Sequence, residues 1–247
     1  MRKPTANETR TIRAPYSAGA SEEAVEALKQ ICAATRNEIG KDRLLELSNE
    51  ATDLIYCVET GWLMVAKTTE EGQRQIIDFV LPGDVYDPGS AAVKRASADL
   101  SALSDAKISM IPRTKWNQLL ADHPDLKEIH ERQVAAGYAR LSERMLRIGK
   151  SHAEAQIAYA VCELCLHAND LEPEDGSAFH LPLTQQVLGD FLGLSSVHVS
   201  RTLRRLRRQN VLSTGDQMDI IIHDIDRLAE VAEVDLEQLR AEIIPAV

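Results

Sequence analysis

Short apolar runs separated by turn-forming residues dominate the chain between residues 44 and 112. The clearest runs cover residues 54–58, 62–66, 75–81 and 106–111. Gly61, Gly72 and Gly83 lie between neighbouring runs, and Pro82 precedes the last of these glycines. Short runs bounded by Gly and Pro are typical of β-strands. The pattern therefore predicts a strand-rich unit, preceded by a helix that Ser21 can cap.

The apolar residues of the next segment recur at alternating steps of four and three. They are Val134, Tyr138, Leu141, Met145 and Ile148. This heptad spacing predicts a helix over residues 124–149, opened by Pro124 and roughly 40 Å long. An apolar seam on so long a helix needs a partner that covers it. The seam can pack on the strand-rich unit, but a short barrel covers only part of the length of the helix. We therefore predict that these five residues form a homodimer interface.

Two short amphipathic segments follow near the C-terminus. Thr184 can cap a helix whose apolar residues share one face. Those residues are Val187, Leu188, Phe191 and Leu192. Gly193 ends this helix and Ser195 can cap the next, while Gly189 lies where a side chain would hold the two helices apart. Two short helices joined by a turn that contains Gly form the helix-turn-helix pattern.

Charge changes the picture at the second of these helices. The chain has a formal net charge of −10, yet residues 193–210 hold five arginines and no acid. Val199, Leu203 and Leu206 recur at helical spacing and must face inward. The opposite side then presents Val197, Arg201, Arg204 and Arg208, with His198 and Arg205 beside them. A solvated helix face usually mixes both signs of charge, so this face indicates a polyanionic partner, and we predict double-stranded DNA.

The segments around the two helices complete the predicted organisation. Residues 211–212 and 218–223 are predicted to form a hairpin with its turn at 213–216, and closing helices are predicted over 224–232 and 235–243. We divide the chain into a disordered N-terminal segment (1–20), an effector domain (21–122), a dimerisation helix (123–150) and a DNA-binding domain (151–247). The last boundary rests on Ser151-His152-Ala153-Glu154, which we interpret as a capping box that starts a new helix.

Composition excludes several classes of protein. With 247 residues, of which 44% are hydrophobic, the chain is long enough for two domains. Its N-terminus lacks the apolar run of a secretory signal, and no segment approaches the roughly 18 apolar residues of a membrane helix. We therefore predict a cytoplasmic protein without a membrane partner. Phosphate-binding glycine loops and nucleophile elbows are missing, so we predict that the chain is not an enzyme.

Two features could hold a metal or haem, but each has a simpler interpretation. Cys162-x-x-Cys165 lies on the apolar side of its predicted helix, where free cysteines act as small core residues. An iron–sulfur cluster needs several closely spaced cysteine ligands, and Cys32 stands alone near the N-terminus. His123 or His130 could ligate haem, but no H-x-x-x-H pattern supports this. We predict no metal site and no cofactor.

The order of these parts, and above all the stretch LPLTQQVLGDFLGLSSVHVSRTLRRLRRQNVL, resembles the cyclic-AMP receptor protein/Fnr (Crp/Fnr) family of bacterial transcription regulators. The resemblance covers about residues 40–225, with YCVETGWLMV and LPGD as weaker matches in the N-terminal half. It implies an α+β fold with a cyclic-nucleotide-binding-like β jelly roll, a long dimerisation helix and a C-terminal winged helix-turn-helix. The implied function is sequence-specific DNA binding by a homodimer at a palindromic promoter site, with RNA polymerase as a candidate partner.

The resemblance also implies roles for single residues. In the family pattern, Arg201 reads guanine in the major groove, and Arg208 is expected to contact the DNA backbone. Val197 stands where the family commonly has a glutamate; valine can contact a thymine methyl group but accepts no hydrogen bond from cytosine. The predicted DNA-binding set consists of phosphate contacts (Thr184, Gln186, Arg204, Arg205, Arg208), groove contacts (Ser196, Val197, Ser200, Arg201) and the adjoining Ser195 and His198.

The effector domain departs further from the family pattern. In the stretch GDVYDPGSAAVKRASADLSAL, Pro88 falls roughly where a ribose-binding glutamate belongs. Arg95-Ala96-Ser97 only approximates the Arg-Ser pair that binds the cyclic phosphate. We therefore predict that cyclic AMP is not the effector, whose identity stays open. The alternative function is a signalling or small-molecule sensor, for haem, a metal or a nucleotide, whose C-terminal domain docks a protein.

Overall fold

The computed structural model describes Tyr16 and residues 19–89, 93–168, 179–181, 183–215 and 219–244. Its first helix, α1 (Glu22–Ala34), begins where the sequence predicts, because the Ser21 hydroxyl accepts a hydrogen bond from the Ala24 amide at 3.4 Å. The predicted disordered segment, residues 1–20, lies outside the described residues except for Tyr16, Gly19 and Ala20.

Tyr16 contradicts the prediction of a loosely attached N-terminal segment at that position. Its side chain is only 1% exposed, and its ring lies edge-on to Trp116 with the centroids 6.2 Å apart. Its hydroxyl forms a hydrogen bond with Nδ1 of His130 at 2.9 Å. A buried aromatic ring removes a large apolar area from water, and it therefore anchors the chain here. The same contact engages a ring nitrogen of His130, one of the two histidines considered for haem.

The strand-rich unit is a jelly roll of two antiparallel sheets. Its strands are β1 (Arg36–Ile39), β2 (Leu44–Glu46), β3 (Leu54–Thr60), β4 (Leu63–Thr68), β5 (Arg74–Val80), β6 (Val85–Tyr86), β7 (Asp99–Ala102) and β8 (Ala106–Pro112). The sheet orders are β1-β8-β3-β6 and β2-β7-β4-β5. Tyr56 and Ile108 of the first sheet share a core with Leu63 and Leu100 of the second.

The apolar runs predicted β3, β4, β5 and β8, and the structure confirms all four. No apolar run predicted β1, β2, β6 and β7, which are two to four residues long and carry few large apolar side chains. The helix α2 (Arg113–Asp122) was also missed. Such elements form because they pair with a neighbouring strand or pack on a sheet that is already present. The local pattern of apolar residues contains no information about these distant partners.

The long helix α3 (Pro124–Lys150) confirms the predicted helix to within one residue. Pro124 occupies its first turn, where a missing amide leaves no hydrogen bond unmade. Leu126 and Ile129 pack against the jelly roll in the cluster that contains Trp116. The first turns of α3 are therefore attached to the effector domain, and the later turns extend towards the C-terminal unit.

The predicted capping box at residues 151–154 is wrong. Ser151 ends α3 instead, because its N–H donates to the Arg147 carbonyl at 2.9 Å. The next helix, α4 (Ala153–His167), is capped one residue later by His152, whose Nδ1 accepts from the Ala155 amide at 3.1 Å. Glu154 is therefore not used as a cap.

Helix α4 is buried on every side, which corrects the prediction of a single apolar face. All twelve residues from Ala155 to Leu166 are buried. The same core cluster contains Ile76 and Phe79 of β5 together with side chains of the C-terminal helices. The proposed boundary near residue 150 therefore separates secondary-structure elements but not hydrophobic cores.

The C-terminal unit is a helix-turn-helix with a three-stranded sheet and two closing helices. Its helices are α5 (Gln185–Leu192), α6 (Ser196–Arg208), α7 (Ile225–Ala232) and α8 (Leu236–Ile243), and its sheet has the order β10 (Leu212–Thr214), β11 (Asp219–Ile222), β9 (Phe179–His180). The predicted hairpin is confirmed, but Ser213 and Thr214 belong to β10 rather than to the turn. Residue 216 of the predicted turn lies outside the described residues.

The four cysteines form two pairs in different surroundings. Cys162 and Cys165 are buried in α4, and burial raises the pKa of the Cys162 thiol to about 12. Cys32 of α1 and Cys57 of β3 are half-buried and hydrogen-bonded to each other. That bond lowers the pKa of Cys32 and raises the pKa of Cys57.

Alkylation of the native protein with iodoacetamide at about pH 8 should therefore modify Cys32 first and leave Cys162 unmodified, because the thiolate is the reactive form. Peptide mass spectrometry over a time course measures the two rates. Urea-unfolded protein, in which all four cysteines should react, is the control. Equal labelling of Cys32 and Cys162 in the native protein would contradict this assignment.

Candidate nucleic-acid interface

Two glycines set the geometry between α5 and α6. Gly193, in the turn, has a φ of +68°, a left-handed conformation that glycine adopts without strain. Gly189 lies inside α5, and a Cβ atom there would come within 2.4 Å of the Leu194 carbonyl oxygen. This distance confirms the prediction that a side chain at residue 189 would hold the two helices apart.

Both helices begin at the predicted caps. The Thr184 hydroxyl accepts from the Val187 amide at 3.1 Å, and the Ser195 hydroxyl accepts from the His198 amide at 3.2 Å. Each bond satisfies an amide that the first turn of a helix leaves unpaired. The start of α6 is thereby fixed, and with it the face on which each later residue of the helix lies.

One face of α6 is buried and the other is open to solvent. Val199, Leu203 and Leu206 are at most 4% exposed, as the sequence predicts, and Thr202 joins them unpredicted. The opposite face is exposed, and it carries Val197, His198, Arg201, Arg204, Arg205, Arg207 and Arg208. Ser196 and Ser200 are half-buried at its edge, and Ser195 is exposed. A groove that received α6 would therefore meet mainly guanidinium groups.

One arginine of this face has a partner that its sequence context does not reveal. Nη1 of Arg205 lies 2.6 Å from Oε1 of Glu154, the residue released by the shifted helix start. The Arg205 side chain is 62% exposed, and such a surface pair contributes about 0–1 kcal/mol. Within the described residues, Arg204 donates only to Ser200 of its own helix, and Arg201 and Arg208 have no ion pair. Most of the positive charge is therefore uncompensated.

The predicted phosphate contacts lie at the start of α5. Thr184 and Gln186 are both exposed, and the Gln186 amide donates to Asp190 at 2.6 Å. Asp190 is in turn paired with Arg74 of the effector domain at 2.7 Å. This pair neutralises the acid next to the predicted phosphate site, so that an approaching backbone would meet little repulsion there.

The predicted dimer seam of α3 is an exposed apolar stripe in the single chain. Its exposed fractions are 56% for Val134, 73% for Tyr138, 41% for Leu141, 71% for Met145 and 38% for Ile148. Ile148 is the least exposed of the five, and its Cγ2 atom lies 3.9 Å from where a Cβ atom at the turn glycine Gly193 would be. Most of the stripe is thus open to solvent in the single chain, although Leu141 also lines a cavity between α3 and the jelly roll.

The jelly roll and α3 enclose a cavity of about 260 Å³. Its lining consists of Val65, Lys67, Ile77, Asp78, Tyr86, Ser97, Ala98, Gly137 and Leu141. Lys67 is the only cation among the described lining residues, and it is exposed. The Arg95 guanidinium donates instead to the Asn49 carbonyl at 2.6 Å, and Arg113 is held by both carboxylate oxygens of Asp87 at 2.6 Å. The buried Arg140 and Arg144 lie beside the lining residue Asp78 and are both paired with it.

Two buried arginines on the inner face of α3 were not predicted from the sequence. Arg140 and Arg144 are 6% and 2% exposed, and Arg144 is paired with the buried Glu163 of α4. Glu163 was the available signal, since it is the single acid in the otherwise apolar stretch AYAVCELCL. A buried carboxylate almost always has a charged or hydrogen-bonding partner, but the sequence does not show which cation provides it.

Two family models match separate parts of the chain. Residues 155–231 match the model of the Crp-like helix-turn-helix domain, and residues 38–123 match that of the cyclic nucleotide-binding domain. A probable transcriptional activator of Rhizobium leguminosarum bv. viciae is 29% identical over 170 residues, which cover 68% of this chain and 69% of the relative. The transcriptional activator protein FnrL of Cereibacter sphaeroides is 27% identical over 189 residues, 75% of each chain.

Solved structures share the fold. FixK2 from Bradyrhizobium japonicum superposes with a TM-score of 0.72 at 24% identity, covering 81% of this chain and 98% of that chain. A CRP-family transcriptional regulator from Thermus thermophilus gives a TM-score of 0.65 at 20% identity, with coverage of 81% and 98%. The jelly roll, long helix and C-terminal helix-turn-helix therefore follow one known arrangement.

Membrane-spanning helices and clustered metal ligands are both missing from the described residues. None of the helices there combines the length and the apolar composition that a membrane span requires. No group of three or more His, Cys, Asp or Glu side chains in that part of the chain is arranged to hold a metal ion.

Replacing Gly189 with alanine should lower the free energy of unfolding by about 1–3 kcal/mol, because the new methyl group must displace the turn backbone. Urea denaturation followed by circular dichroism measures this change. Gly149→Ala is the matched control, since a Cβ there meets nothing within 4 Å, and alanine should raise helix stability by about 0.5–1 kcal/mol. A Gly189→Ala protein as stable as the Gly149→Ala protein would disprove the close approach of the two helices.

Proposed function

Because the chain belongs to the Crp/Fnr family of bacterial transcription regulators, which are sequence-specific DNA-binding proteins and not enzymes, we propose that it acts as a homodimer on a palindromic promoter site, without cyclic AMP as its effector. The observation that carries this proposal is the exposed arginine face of α6, opposite a buried apolar row. We assign the effector role to residues 21–122, dimerisation to 123–150 and DNA binding to 151–247.

Sequence readout is assigned to the first two turns of α6. Arg201 is exposed and has no ion pair within the described residues, so its guanidinium is available for the two acceptors of guanine. Val197 is 59% exposed and lies one helical turn before Arg201, where it can contact a thymine methyl group. Arg204, Arg205 and Arg208 lie further along the helix and are assigned to phosphates, which position a protein without specifying sequence.

Dimerisation is assigned to the exposed stripe of α3. Five apolar side chains at heptad spacing, each at least 38% exposed, would be costly to leave in water. A two-fold axis along this stripe relates two copies of α6. Recognition helices in such dimers enter successive major grooves about 34 Å apart, and the site that they read is therefore palindromic.

The lining of the effector cavity argues against a cyclic nucleotide. A buried phosphate needs a matched cation for its charge-assisted hydrogen bonds. Arg95 and Arg113 are engaged elsewhere, and the buried Arg140 and Arg144 beside the lining face the carboxylates of Asp78 and Glu163. We expect the protein to act in the cytoplasm, with RNA polymerase as the partner through which it changes transcription.

Arg201→Ala should abolish the preference for the cognate palindrome, while Arg208→Ala should weaken binding to every sequence alike and reduce the salt slope by about one unit. Selection from random duplex DNA, followed by titrations of each variant at several salt concentrations, measures both effects. Equal losses on all duplexes for both variants would refute this division of roles. If the unmodified protein enriches no palindrome, the alternative of a sensor that docks a protein is favoured.

Met145→Glu should convert the dimer to a monomer, because two facing carboxylates cannot be buried together in the seam. Light scattering coupled to size-exclusion chromatography measures the mass at several concentrations. Lys115→Glu places the same acid on an exposed position of α2 and should leave the dimer intact. A dimeric Met145→Glu protein would show that the stripe is not the interface.

A further inference from the structure

Arg144, a buried side chain of α3, contacts both halves of the molecule, as does Arg140 through Asp78 and the Ile243 carbonyl. Arg144 is 2% exposed and holds Glu163 of α4 through two nitrogens, with Nε at 3.3 Å from Oε2 and Nη2 closer to Oε1. Nη2 also lies 3.0 Å from Oδ1 of Asp78 on β5, and Nη1 donates to the Ile77 carbonyl. The strand β5 of the effector domain, the long helix α3 and the DNA-binding unit therefore meet at the guanidinium group of Arg144.

The same guanidinium also touches the helix-turn-helix itself. Its central carbon lies 4.2 Å from the centre of the Phe191 ring of α5. Phe191 packs in turn on Phe79 of β5, with the centroids 4.7 Å apart, and its carbonyl accepts from Gln75 at 3.1 Å. The first helix of the DNA-binding motif is thereby held against the effector sheet at the point where Arg144 enters.

The charges at this point balance. Nη2 of Arg140 lies 3.9 Å from Asp78, so that two arginines face two carboxylates, Asp78 and Glu163. Burial by itself lowers the pKa of Arg144, but Glu163 and Asp78 raise it further than burial lowers it, and the guanidinium stays charged. Removing one partner would leave an uncompensated buried charge, which is strongly unfavourable. A movement that separated only some of these ion pairs would therefore be unfavourable.

The covalent connection between α3 and α4 is short and would not fix an angle by itself. Only Ser151 and His152 lie between the two helices. In a dimer built on the seam of α3, the distance between the two copies of α6 depends on that angle. Base pairs are about 3.4 Å apart, so a displacement of a few ångströms changes the site by one base pair.

We propose that Arg144 is a positioning residue that holds α6 at a fixed angle to the dimer helix and so sets the spacing between the two half-sites. This inference rests on the proposed function, a homodimer on a palindrome. Burying an ionic cluster is a poor way to gain stability, since apolar replacements are often neutral or stabilising. We therefore expect the ionic cluster to hold the DNA-binding unit at one defined angle to α3.

The test uses a full-length double variant that keeps the charges balanced. Arg144→Met together with Glu163→Met removes one cation and one anion and leaves Arg140 beside Asp78. The probes are duplexes that carry two copies of the half-site enriched by the unmodified protein, with the spacer between them shortened or lengthened by one to three base pairs. Competition binding followed by sequencing measures the preference among spacers.

The unmodified protein should prefer one spacer by about tenfold or more, and the double variant should stay dimeric and keep its half-site sequence while this preference falls to about twofold. One control separates positioning from stability. Ile220→Val, which weakens the core of the DNA-binding unit without touching Arg144, should keep both preferences.

A double variant with the spacing preference of the unmodified protein would overturn this proposal and leave the proposed function intact. If the unmodified protein enriches no paired half-sites, the proposed function fails and the proposal fails with it. Should the double variant not fold, Arg144→Lys carries the test, because lysine keeps the charge but loses the paired contacts of the guanidinium. Arg144→Lys should then show an intermediate preference, and an unchanged preference overturns the proposal.

Discussion

The close approach of α5 and α6 at Gly189 decides which face of α6 is exposed. A Cβ atom at this position would come within 2.4 Å of the Leu194 carbonyl, so only glycine lets the two helices meet. Once they meet, Val199, Leu203 and Leu206 fill the space between α6 and the rest of the unit. The arginines at the remaining positions of the helix are left on the outside. A steric constraint inside the motif thus produces the basic surface.

Two acids close to that surface are neutralised by arginines within the described part of the chain. Asp190, next to the start of α5, is paired with Arg74, and Glu154 is paired with Arg205 at the side of α6. Charges separated by more than about 8 Å are largely screened at physiological salt. The net charge of −10 therefore says little about the potential that DNA meets at α6.

Features with a local cause could be predicted from the sequence. The caps Thr184 and Ser195, the turn at Gly193 and the span of α3 all follow from residues within one or two turns of each other. The exposed arginine face of the candidate site follows from the same periodicity. Features that depend on partners distant in the sequence were missed, among them the pair between Arg205 and Glu154 and the contacts of Arg144. The lone Glu163 indicated a buried cation, but its identity depends on how two domains pack.

The contact between the outer face of α6 and DNA is the central claim. Modification of arginines by a phenylglyoxal reagent, with and without the enriched duplex, tests this contact directly by peptide mass spectrometry. We predict that DNA protects Arg201, Arg204 and Arg208, while the exposed Arg227 of α7 reacts equally in both samples. Equal modification of Arg201 with and without bound DNA would contradict the claim.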